Sequence, residues 1–185
     1  MGVCPVRADD WIGMNAVATR ACLDTSRVIE LYRDMVYSIA LTHTKSRLDA
    51  EDVFQEVFLS YHRKQPQLID AEHCKSWLIV TTINCARQVS YSSWQRKVVP
   101  LHEQSDAQLL DDSFHFRSEE QDLVFAALQE LPAKYRTVLH LFYFEDLSLA
   151  QIAHALGIEV GTVKVQLFRG RALMRDKLKG EYFND

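Results

Sequence analysis

A predicted helix near the C-terminus, with the sequence VGTVKVQLFRGRALMRDKL, carries cationic and amide side chains over most of its surface. We call this segment the recognition helix. A period of 3.6 residues predicts one buried apolar side, formed by Val163, Leu167, Gly170, Met174 and Leu178. Side chains that can bond bases or phosphates project elsewhere: Lys164, Gln166, Arg169, Arg171 and Arg175. This pattern predicts non-covalent recognition of duplex DNA.

A shorter helix and a tight turn precede the recognition helix. Its apolar stripe is formed by Leu149, Ile152, Ala153 and Leu156. Gly157 is expected to end this helix, and Ser148 with Gln151 three residues later is typical of a capping box at its start. Two helices joined by a tight turn, the second rich in cations, are typical of a helix-turn-helix that reads DNA.

The N-terminal half of the chain also has helical periodicity. The first predicted helix has an apolar stripe formed by Val28, Leu31, Tyr32, Met35, Val36 and Ile39. A second helix is expected to begin near Asp49, with that residue as its cap. Its inward side is predicted to contain Val53, Val57 and Tyr61. Its outward side is predicted to contain Asp52, Gln55, Glu56 and Leu59. An acidic face with one exposed leucine suits a protein partner, and an ordinary solvated helix surface is the alternative.

A third long helix, KSWLIVTTINCARQVSYSSWQRK, changes character along its length. Its predicted inward stripe is Leu78, Thr81, Cys85 and Val89, and Trp77 is expected in the core. Its C-terminal end mixes amides, aromatic rings and cations: Asn84, Arg87, Gln88, Tyr91, Trp94, Arg96 and Lys97. Hydrogen bonding, stacking and phosphate neutralisation are what single-stranded nucleic acid requires of a protein, so this end is a second candidate nucleic-acid surface.

Composition and charge indicate an all-α protein of two small helical domains. The 185 residues include only six glycines and four prolines, and the net charge is −4. Residues 133–180 contain eight lysines or arginines and four acids, whereas residues 101–132 contain eight acids and a single arginine. The expected division is an N-terminal extension over 1–20, a helical domain over 21–99, a flexible acidic linker over 100–118 and a helix-turn-helix domain over 119–185. The linker either repels DNA or is merely solvated.

Several classes of protein are not indicated. No stretch approaches the roughly 18 apolar residues of a membrane span, and the first 20 residues lack the apolar run of a secretory signal, so a cytoplasmic protein is expected. The four cysteines form no CxxC pair, so neither a disulfide framework nor a zinc site is predicted. No motif indicates a cofactor.

Three motifs in this order resemble the extracytoplasmic function (ECF) group of bacterial RNA polymerase sigma factors. The run DAEDVFQEVFLSY resembles the part of that family that docks on polymerase. WLIVTTIN with SSWQRKVVPL resembles the helix that melts the promoter and reads the minus ten element. LPAKYRTVLHLFYFEDLSLAQIAHALGIEVGTVKVQLFRGRALMRDKL resembles the domain that binds the minus thirty-five element. The resemblance covers about residues 29–178.

The resemblance implies a transcription initiation factor that is not an enzyme and that acts in stress responses. It implies that Asp52, Gln55, Glu56 and Leu59 bind the clamp helices of the polymerase beta-prime subunit. The second candidate surface, from Asn84 to Lys97, would bind minus ten DNA as a single strand. The implied minus thirty-five contacts, to duplex DNA, are Thr162, Lys164, Val165, Gln166, Arg169, Arg171 and Arg175. The family resemblance also implies an anti-sigma factor as a further partner. It further implies that the linker between the two domains of the sigma factor runs through a polymerase channel.

This chain departs from the family pattern at positions that affect promoter choice. Gln88 stands where the family usually has an aspartate, which puts an acidic contact there in doubt. Val165 and Gln166 stand where a serine and an arginine often follow the Thr-Val-Lys run. Glutamine suits bidentate pairing with adenine, whereas arginine prefers guanine, so an altered minus thirty-five preference is expected.

Two other classes of function remain open from the residues alone. A helix-turn-helix regulator that is not a polymerase subunit would use residues 21–99 for ligand sensing or dimerisation, and it would bind duplex DNA without polymerase. A nucleic-acid enzyme would use Asp49, Asp52 and Glu56 to hold Mg²⁺, and it would cleave DNA only with a divalent ion. Neither explains all three motifs.

Overall fold

The computed structural model describes residues 24–66, 68, 70–96 and 119–182, with side chains left out at 90–96, 119–123 and 180–182. These residues form seven α-helices and no strand, which confirms the all-α prediction. The helices are α1 (Thr25–Thr44), α2 (Arg47–Lys64), α3 (Ala71–Arg96), α4 (Glu119–Gln129), α5 (Ala133–Tyr143), α6 (Leu149–Leu156) and α7 (Val160–Tyr182). The predicted extension over 1–20 and linker over 100–118 lie outside the described residues.

Helices α1, α2 and α3 pack on one another, and we call them the N-terminal bundle. Val53, Val57 and Tyr61 are buried as the periodicity of α2 predicts. Tyr61 meets the buried Trp77 edge to face, with ring centroids 5.7 Å apart. This aromatic contact joins α2 to α3 and confirms Trp77 as a core residue.

Leu31 is the exception to the predicted stripe of α1, because 52% of its surface is exposed. It lies two turns before Ser38, on the side of α1 where Ser38 and Thr42 meet His140 of α5. The contact with α5 is recorded at the C-terminal half of α1, so the predicted side is covered there and open at Leu31. Periodicity identified the correct side of the helix but not the length over which a neighbour covers it.

The start of α2 differs from the prediction by two residues. The helix begins at Arg47, and its cap is Ser46, whose hydroxyl oxygen accepts a hydrogen bond of 3.3 Å from the backbone N–H of Asp49. The prediction of Asp49 as the cap is therefore wrong. Asp49 lies in the first turn, where its carboxylate favourably faces the positive end of the helix dipole.

Helix α3 is buried over a much wider arc than its predicted stripe. Leu78 is fully buried, but Thr81, Cys85 and Val89 are only half-buried. The additional buried side chains are Ile79, Val80, Thr82 and Ile83, and the three isoleucine and valine residues join the core of the second half of the chain. The reason is that α3 packs on α1 and α2 with one side and on α6 with another.

Helices α4 to α7 form a second unit, the C-terminal bundle, around buried apolar residues: Phe125, Leu128, Leu131, Val138, Leu141, Ile152, Val163 and Leu167. Helix α7 approaches α5 closely at Gly170, where an added Cβ would lie 3.0 Å from Cδ1 of Leu139. The predicted start and end of α6 are confirmed. Ser148 and Gln151 form the capping box of α6, and Gly157 ends that helix with a φ of 67°.

The two bundles pack directly on each other through α1 with α5 and α3 with α6. Arg136 of α5 lies in this junction with 2% of its surface exposed. Its guanidinium donates to the carbonyl oxygen of Thr42 in α1 and, at 2.8 Å, to that of Leu131 after α4. Burial lowers the pKa of Arg136 to about 10, so the group stays charged at neutral pH.

His140 of α5 lies beside Arg136 in the same junction and is also buried. Its ring nitrogens are 3.1 Å from Oγ1 of Thr42 and 3.4 Å from Oγ of Ser38, and its ring stacks on Phe144. Oε1 of Glu145 lies 3.6 Å from its Nε2. Polar side chains of both bundles thus satisfy each other inside the junction, as buried polar groups require.

Among the described helices, none is long and apolar enough to cross a membrane.

Burial of His43 should make the free energy of unfolding depend on pH. Its Nδ1 is buried without a hydrogen-bond partner, and burial, reinforced by the charges of Arg87 and Arg136, lowers its pKa to about 4. The unfolded chain binds a proton at this residue near pH 6.5, whereas the folded chain does not. The free energy of unfolding should therefore fall by about 2 kcal/mol as pH decreases from about 6.5 to about 4.

Urea unfolding at a series of pH values measures this effect. In His43→Gln, which cannot be protonated, the fall over the same interval should be clearly smaller than in the wild type. A His62→Gln variant, which changes a residue exposed on α2, serves as the matched control and should keep the wild-type slope. Equal slopes for all three proteins would contradict the assignment.

Candidate functional site

The recognition helix corresponds to α7, and its predicted buried side is held against the C-terminal bundle. Val163, Leu167 and Gly170 are buried, while Met174 and Leu178 are half-buried. Candidate contact residues point away from this packing: Thr162, Lys164, Val165, Arg169, Arg171 and Arg175 are exposed and Gln166 is half-buried. The structure thus leaves the predicted set accessible on the two flanks of the buried side of α7.

A cleft of about 310 Å³ lies between the start of α7 and the start of α5. Its lining from α7 is formed by Gly161, Thr162, Val165, Gln166 and Arg169, and its lining from α5 by Lys134 and Tyr135. Apart from the backbone of its own helix and its chain neighbours, no atom of the described residues would lie within 4 Å of a Cβ added at Gly161. Amide, hydroxyl and cationic groups therefore converge on an open concave surface, as recognition of a polar ligand requires.

Lys134 and Tyr135 were not among the residues predicted from the sequence. Nζ of Lys134 lies 4.9 Å from the centroid of the Tyr135 ring. A hydrogen bond with Arg169 lowers the pKa of Tyr135, which ties the tyrosine of α5 to a cation of α7. The sequence feature that could have identified these two residues is a cation beside an aromatic residue at the start of a helix. Its meaning depends on α5 lying beside α7, which periodicity does not reveal.

Farther along α7, Arg171 lies against aromatic rings of α5. Its guanidinium is 5.4 Å from the ring centroid of Phe142 and 5.5 Å from that of Tyr143. Such cation–π contacts hold the side chain along the α5 side of the helix while leaving its donors accessible. Arg175 instead pairs with its neighbour Asp176 at 3.5 Å. Phe168, with 76% of its surface exposed, lies between these cations in sequence.

The second candidate surface, at the C-terminal end of α3, is only partly described. Asn84 is half-buried and Gln88 is exposed. The side chains of Tyr91, Trp94 and Arg96, and all of Lys97, lie outside the described residues.

Arg87 on this surface contacts the C-terminal bundle. Its Nη2 donates a 2.8 Å hydrogen bond to the carbonyl oxygen of Leu156, the last residue of α6. Arg87 as a whole is exposed, and partial burial of its guanidinium lowers its pKa. One predicted nucleic-acid contact is therefore bonded to protein in this structure.

The acidic face of α2 lies opposite its packed side. Asp52, Gln55, Glu56 and Leu59 are all exposed, as predicted, with 47% of the surface of Leu59 accessible. Leu48, 71% exposed, lies four residues before Asp52 and eleven before Leu59, on the same side of the helix. Leu48 is not among the predicted residues, because the predicted start of α2 lies after it.

The arrangement of carboxylates on α2 also bears on the alternative of a nucleic-acid enzyme with a magnesium site. Within the part of the chain that the structure describes, no three His, Cys, Asp or Glu side chains are grouped closely enough to hold a metal ion. The hydroxyl oxygen of Ser46 accepts a hydrogen bond from the backbone N–H of Asp49 at the start of the helix. The side chains of Asp52 and Glu56 are exposed to solvent.

Comparison with known proteins identifies two family matches and several relatives. The sequence matches the families "Sigma-70 region 2" over residues 28–95 and "Sigma-70, region 4" over residues 121–174. It is 30% identical to RNA polymerase sigma factor SigV of Bacillus subtilis, over 88% of this chain and 95% of that protein. It is 26% identical to ECF RNA polymerase sigma factor SigW of the same organism, over 82% and 87% of the two chains.

Two solved structures share the fold. Bartonella quintana RpoE, in a complex with the anti-sigma factor NepR, superposes with a TM-score of 0.62 at 20% identity over 83% of this chain and 96% of that one. CnrH, in a complex with the cytosolic domain of CnrY, superposes with a TM-score of 0.57 at 18% identity over 84% and 88% of the two chains.

Because Lys134 lines the cleft between α5 and α7, we predict that it contacts DNA and neutralises a phosphate. Lys134→Gln should weaken binding of the full chain to duplex DNA by a similar factor for every sequence. It should also reduce the slope of log affinity against log salt concentration by about 1. Fluorescence anisotropy over a salt series measures both quantities.

Lys179→Gln is the matched control, because it removes the same charge from the exposed end of α7, about 27 Å along the helix from Gly161. Its slope should be closer to that of the wild type. Equal reductions for the two variants would show that Lys134 contributes only general charge.

Proposed function

The chain belongs to the ECF group of bacterial RNA polymerase sigma factors, and we propose here how its surfaces divide the work of that family. It binds core RNA polymerase and promoter DNA, and it directs promoter recognition, DNA melting and transcription initiation. A separate helix-turn-helix regulator is not favoured, because residues 28–95 match a sigma-factor region. We assign polymerase and minus ten binding to residues 21–99, minus thirty-five binding to residues 119–185 and the connection to residues 100–118.

Helix α7 reads the minus thirty-five element in this proposal. The observation that carries it is the division of α7 into an anchored side, with Val163 and Leu167 buried, and an exposed cationic side. Phosphate contacts fix the register, and the residues assigned to them are Lys164, Arg169, Arg171 and Arg175, with Lys134 added from α5. Base-edge contacts select the sequence, and the residues assigned to them are Thr162, Val165 and Gln166.

The C-terminal end of α3 binds the opened non-template strand at the minus ten element. The residues assigned to it are Asn84, Arg87, Gln88, Tyr91, Trp94, Arg96 and Lys97. Separating the bases costs a few kcal/mol, and stacking on aromatic rings together with amide hydrogen bonds offsets part of that cost. The support from the structure is that Arg87 and Gln88 are exposed on a helix whose earlier turns are buried.

The outer face of α2 binds the clamp helices of the polymerase beta-prime subunit. The residues assigned to this contact are Leu48, Asp52, Gln55, Glu56 and Leu59. Leucines at both ends of a carboxylate-rich strip supply apolar area for affinity, while the acids supply orientation toward a basic partner. No other described helix packs on this face, since α2 makes its extensive contacts with α1 and α3.

The remaining parts of the proposal concern location, chemistry and control. The protein acts in the cytoplasm by binding and remodelling, without covalent catalysis, in a response to stress. An anti-sigma factor restrains it, as the complexes formed by RpoE with NepR and by CnrH with CnrY support. The acidic linker passes through the polymerase near its active site.

Run-off transcription tests the proposed function. The purified chain is added to bacterial core polymerase with promoter fragments of its own genome, and defined new transcripts are expected only when the chain is present. If no new start appears with any fragment, and the chain fails to bind core polymerase at low ionic strength, the proposed function is wrong.

Replacement of Asp52 and Gln55 together by alanine should weaken core polymerase binding at least about tenfold, a change of about 1.4 kcal/mol. Both side chains are exposed, so the helical content and the thermal unfolding temperature should remain those of the wild type. Binding is measured by titration of labelled chain with core polymerase.

Asp34→Ala provides the control for loss of an acid, because Asp34 is exposed on α1 and pairs with Arg33 at 3.3 Å. This control should bind polymerase like the wild type. Equal weakening by both variants would refute a specific role for the face on α2.

Gln166→Ala should change the minus thirty-five preference of the holoenzyme, because a bidentate contact discriminates a base by about 1–3 kcal/mol. Selection from a library randomised over the minus thirty-five element should show a loss of preference at one position. Arg175→Gln, which alters an assigned phosphate contact, should instead weaken all sequences alike. An unchanged selection profile for Gln166→Ala would show that Gln166 does not read a base.

A further inference from the structure

Two arginines of α7 are each held by an aromatic residue of α5. Arg169 donates a hydrogen bond to the phenol oxygen of Tyr135, and both side chains line the cleft between the two helices. Arg171 lies over the ring of Tyr143, with its guanidinium carbon 5.5 Å from the ring centroid. Both arginines are exposed, so each guanidinium is restrained by a neighbour and keeps other N–H donors for a ligand.

Helix α5 crosses beneath α7 at Gly170, the residue between the two arginines. A Cβ added at Gly170 would lie 3.0 Å from Cδ1 of Leu139 and 3.4 Å from Cβ of Tyr135, so glycine allows this close approach. Leu139 lies four residues after Tyr135 and four residues before Tyr143. The two tyrosines are therefore about one helical turn to either side of the crossing point, and about 12 Å apart along α5.

Arg169 and Arg171 lie on opposite flanks of α7. A separation of two residues corresponds to about 200° around an α-helix, so the two side chains diverge to either side of Gly170. The contacts show the same division, because the flank of Arg169 meets the first turn of α5 and the flank of Arg171 meets its last turn. The two ends of one crossing helix thus hold one cation on each side of α7.

We propose that Tyr135 and Tyr143 are positioning residues, which hold Arg169 and Arg171 in place for phosphates of the two DNA strands that border the major groove. This inference rests on the proposed function, because it requires α7 to enter the major groove of the minus thirty-five element. That groove is about 12 Å wide in B-DNA, close to the distance between the two tyrosines along α5. One guanidinium therefore meets each wall of the groove.

Restraint of the arginines before DNA arrives explains why aromatic residues are useful at both positions. A free arginine side chain loses rotamer freedom when it binds a phosphate, and this loss of entropy weakens affinity. The two tyrosines impose part of that order in advance, by different means. Tyr135 acts through its hydroxyl oxygen, which accepts the hydrogen bond from Arg169. Tyr143 acts through its ring, which attracts the guanidinium of Arg171 by a cation–π contact.

Substitutions at the two tyrosines separate these two means. Tyr135→Phe removes the hydroxyl that Arg169 bonds, and it should weaken binding of the holoenzyme to a promoter duplex about two- to tenfold. Tyr143→Leu removes the ring and should weaken binding by a similar factor, and Tyr143→Phe should restore the affinity because it restores the ring. Tyr32→Phe is the control, because that hydroxyl donates to the carbonyl oxygen of Ala71 within the N-terminal bundle. This control should keep the wild-type affinity.

Fluorescence anisotropy measures the affinity of each holoenzyme for a promoter duplex chosen from the run-off experiment. Each tyrosine change is then repeated in a chain that lacks the corresponding arginine. Tyr135→Phe should have no further effect in Arg169→Gln, and Tyr143→Leu should have none in Arg171→Gln, because a positioning residue acts only through its partner. Full effects in those backgrounds would show that the tyrosines act independently of the arginines, and would overturn the proposal. Wild-type affinity of Tyr135→Phe or Tyr143→Leu would overturn it for that tyrosine.

The assignment to two strands is tested with duplexes that carry a single methylphosphonate, which removes the charge of one phosphate. Arg169→Gln should no longer weaken binding when one particular phosphate on one strand is neutralised. Arg171→Gln should lose its effect when a phosphate on the complementary strand is neutralised. If the two decisive phosphates lie on the same strand, the proposed arrangement across the groove is wrong.

Failure of the proposed function is separately recognisable. In that case the wild-type chain gives no run-off transcripts with core polymerase, and its mixture with core polymerase binds promoter duplexes no better than unrelated DNA. Normal transcripts from the wild type, together with wild-type affinity of the tyrosine variants, would leave the proposed function intact and refute only the positioning roles.

Discussion

The buried guanidinium of Arg136 constrains how the two helical bundles pack on each other. A charge without partners inside a protein costs several kcal/mol, so such a group is stable only where several acceptors converge. Around Arg136 these acceptors come from the end of α1 and from the segment after α4. Helices far apart in sequence must therefore meet at one point. The position of α5 against α1 follows, and with it the placement of α6 against α3.

This placement treats the proposed functional surfaces unequally. Helix α7 makes its extensive contacts with α4, α5 and α6, and the outer face of α2 is turned away from the junction, so both remain accessible among the described residues. Arg87 of α3 differs, because it is bonded to the end of α6.

The sequence predicted the local features of the fold and missed those that depend on distant neighbours. The capping box at Ser148, the end of α6 at Gly157 and the two sides of α7 depend on residues a few positions apart, and the structure confirms them. Leu31 is exposed because α5 meets α1 farther along, at Ser38 and Thr42, and the periodicity within α1 does not show where a neighbour lies. The wide burial of α3 and the contribution of α5 to the cleft arise from contacts between helices remote in sequence.

Arg136, Arg87 and Lys75 reach from one bundle to the other, and each donates a hydrogen bond to a main-chain carbonyl oxygen there. A substitution at Thr42 or Leu156 leaves the carbonyl oxygen in place, since all amino acids supply one. A substitution at any of the three donors removes the bond. Variation in how firmly the two bundles hold together would accordingly be concentrated at these three basic positions.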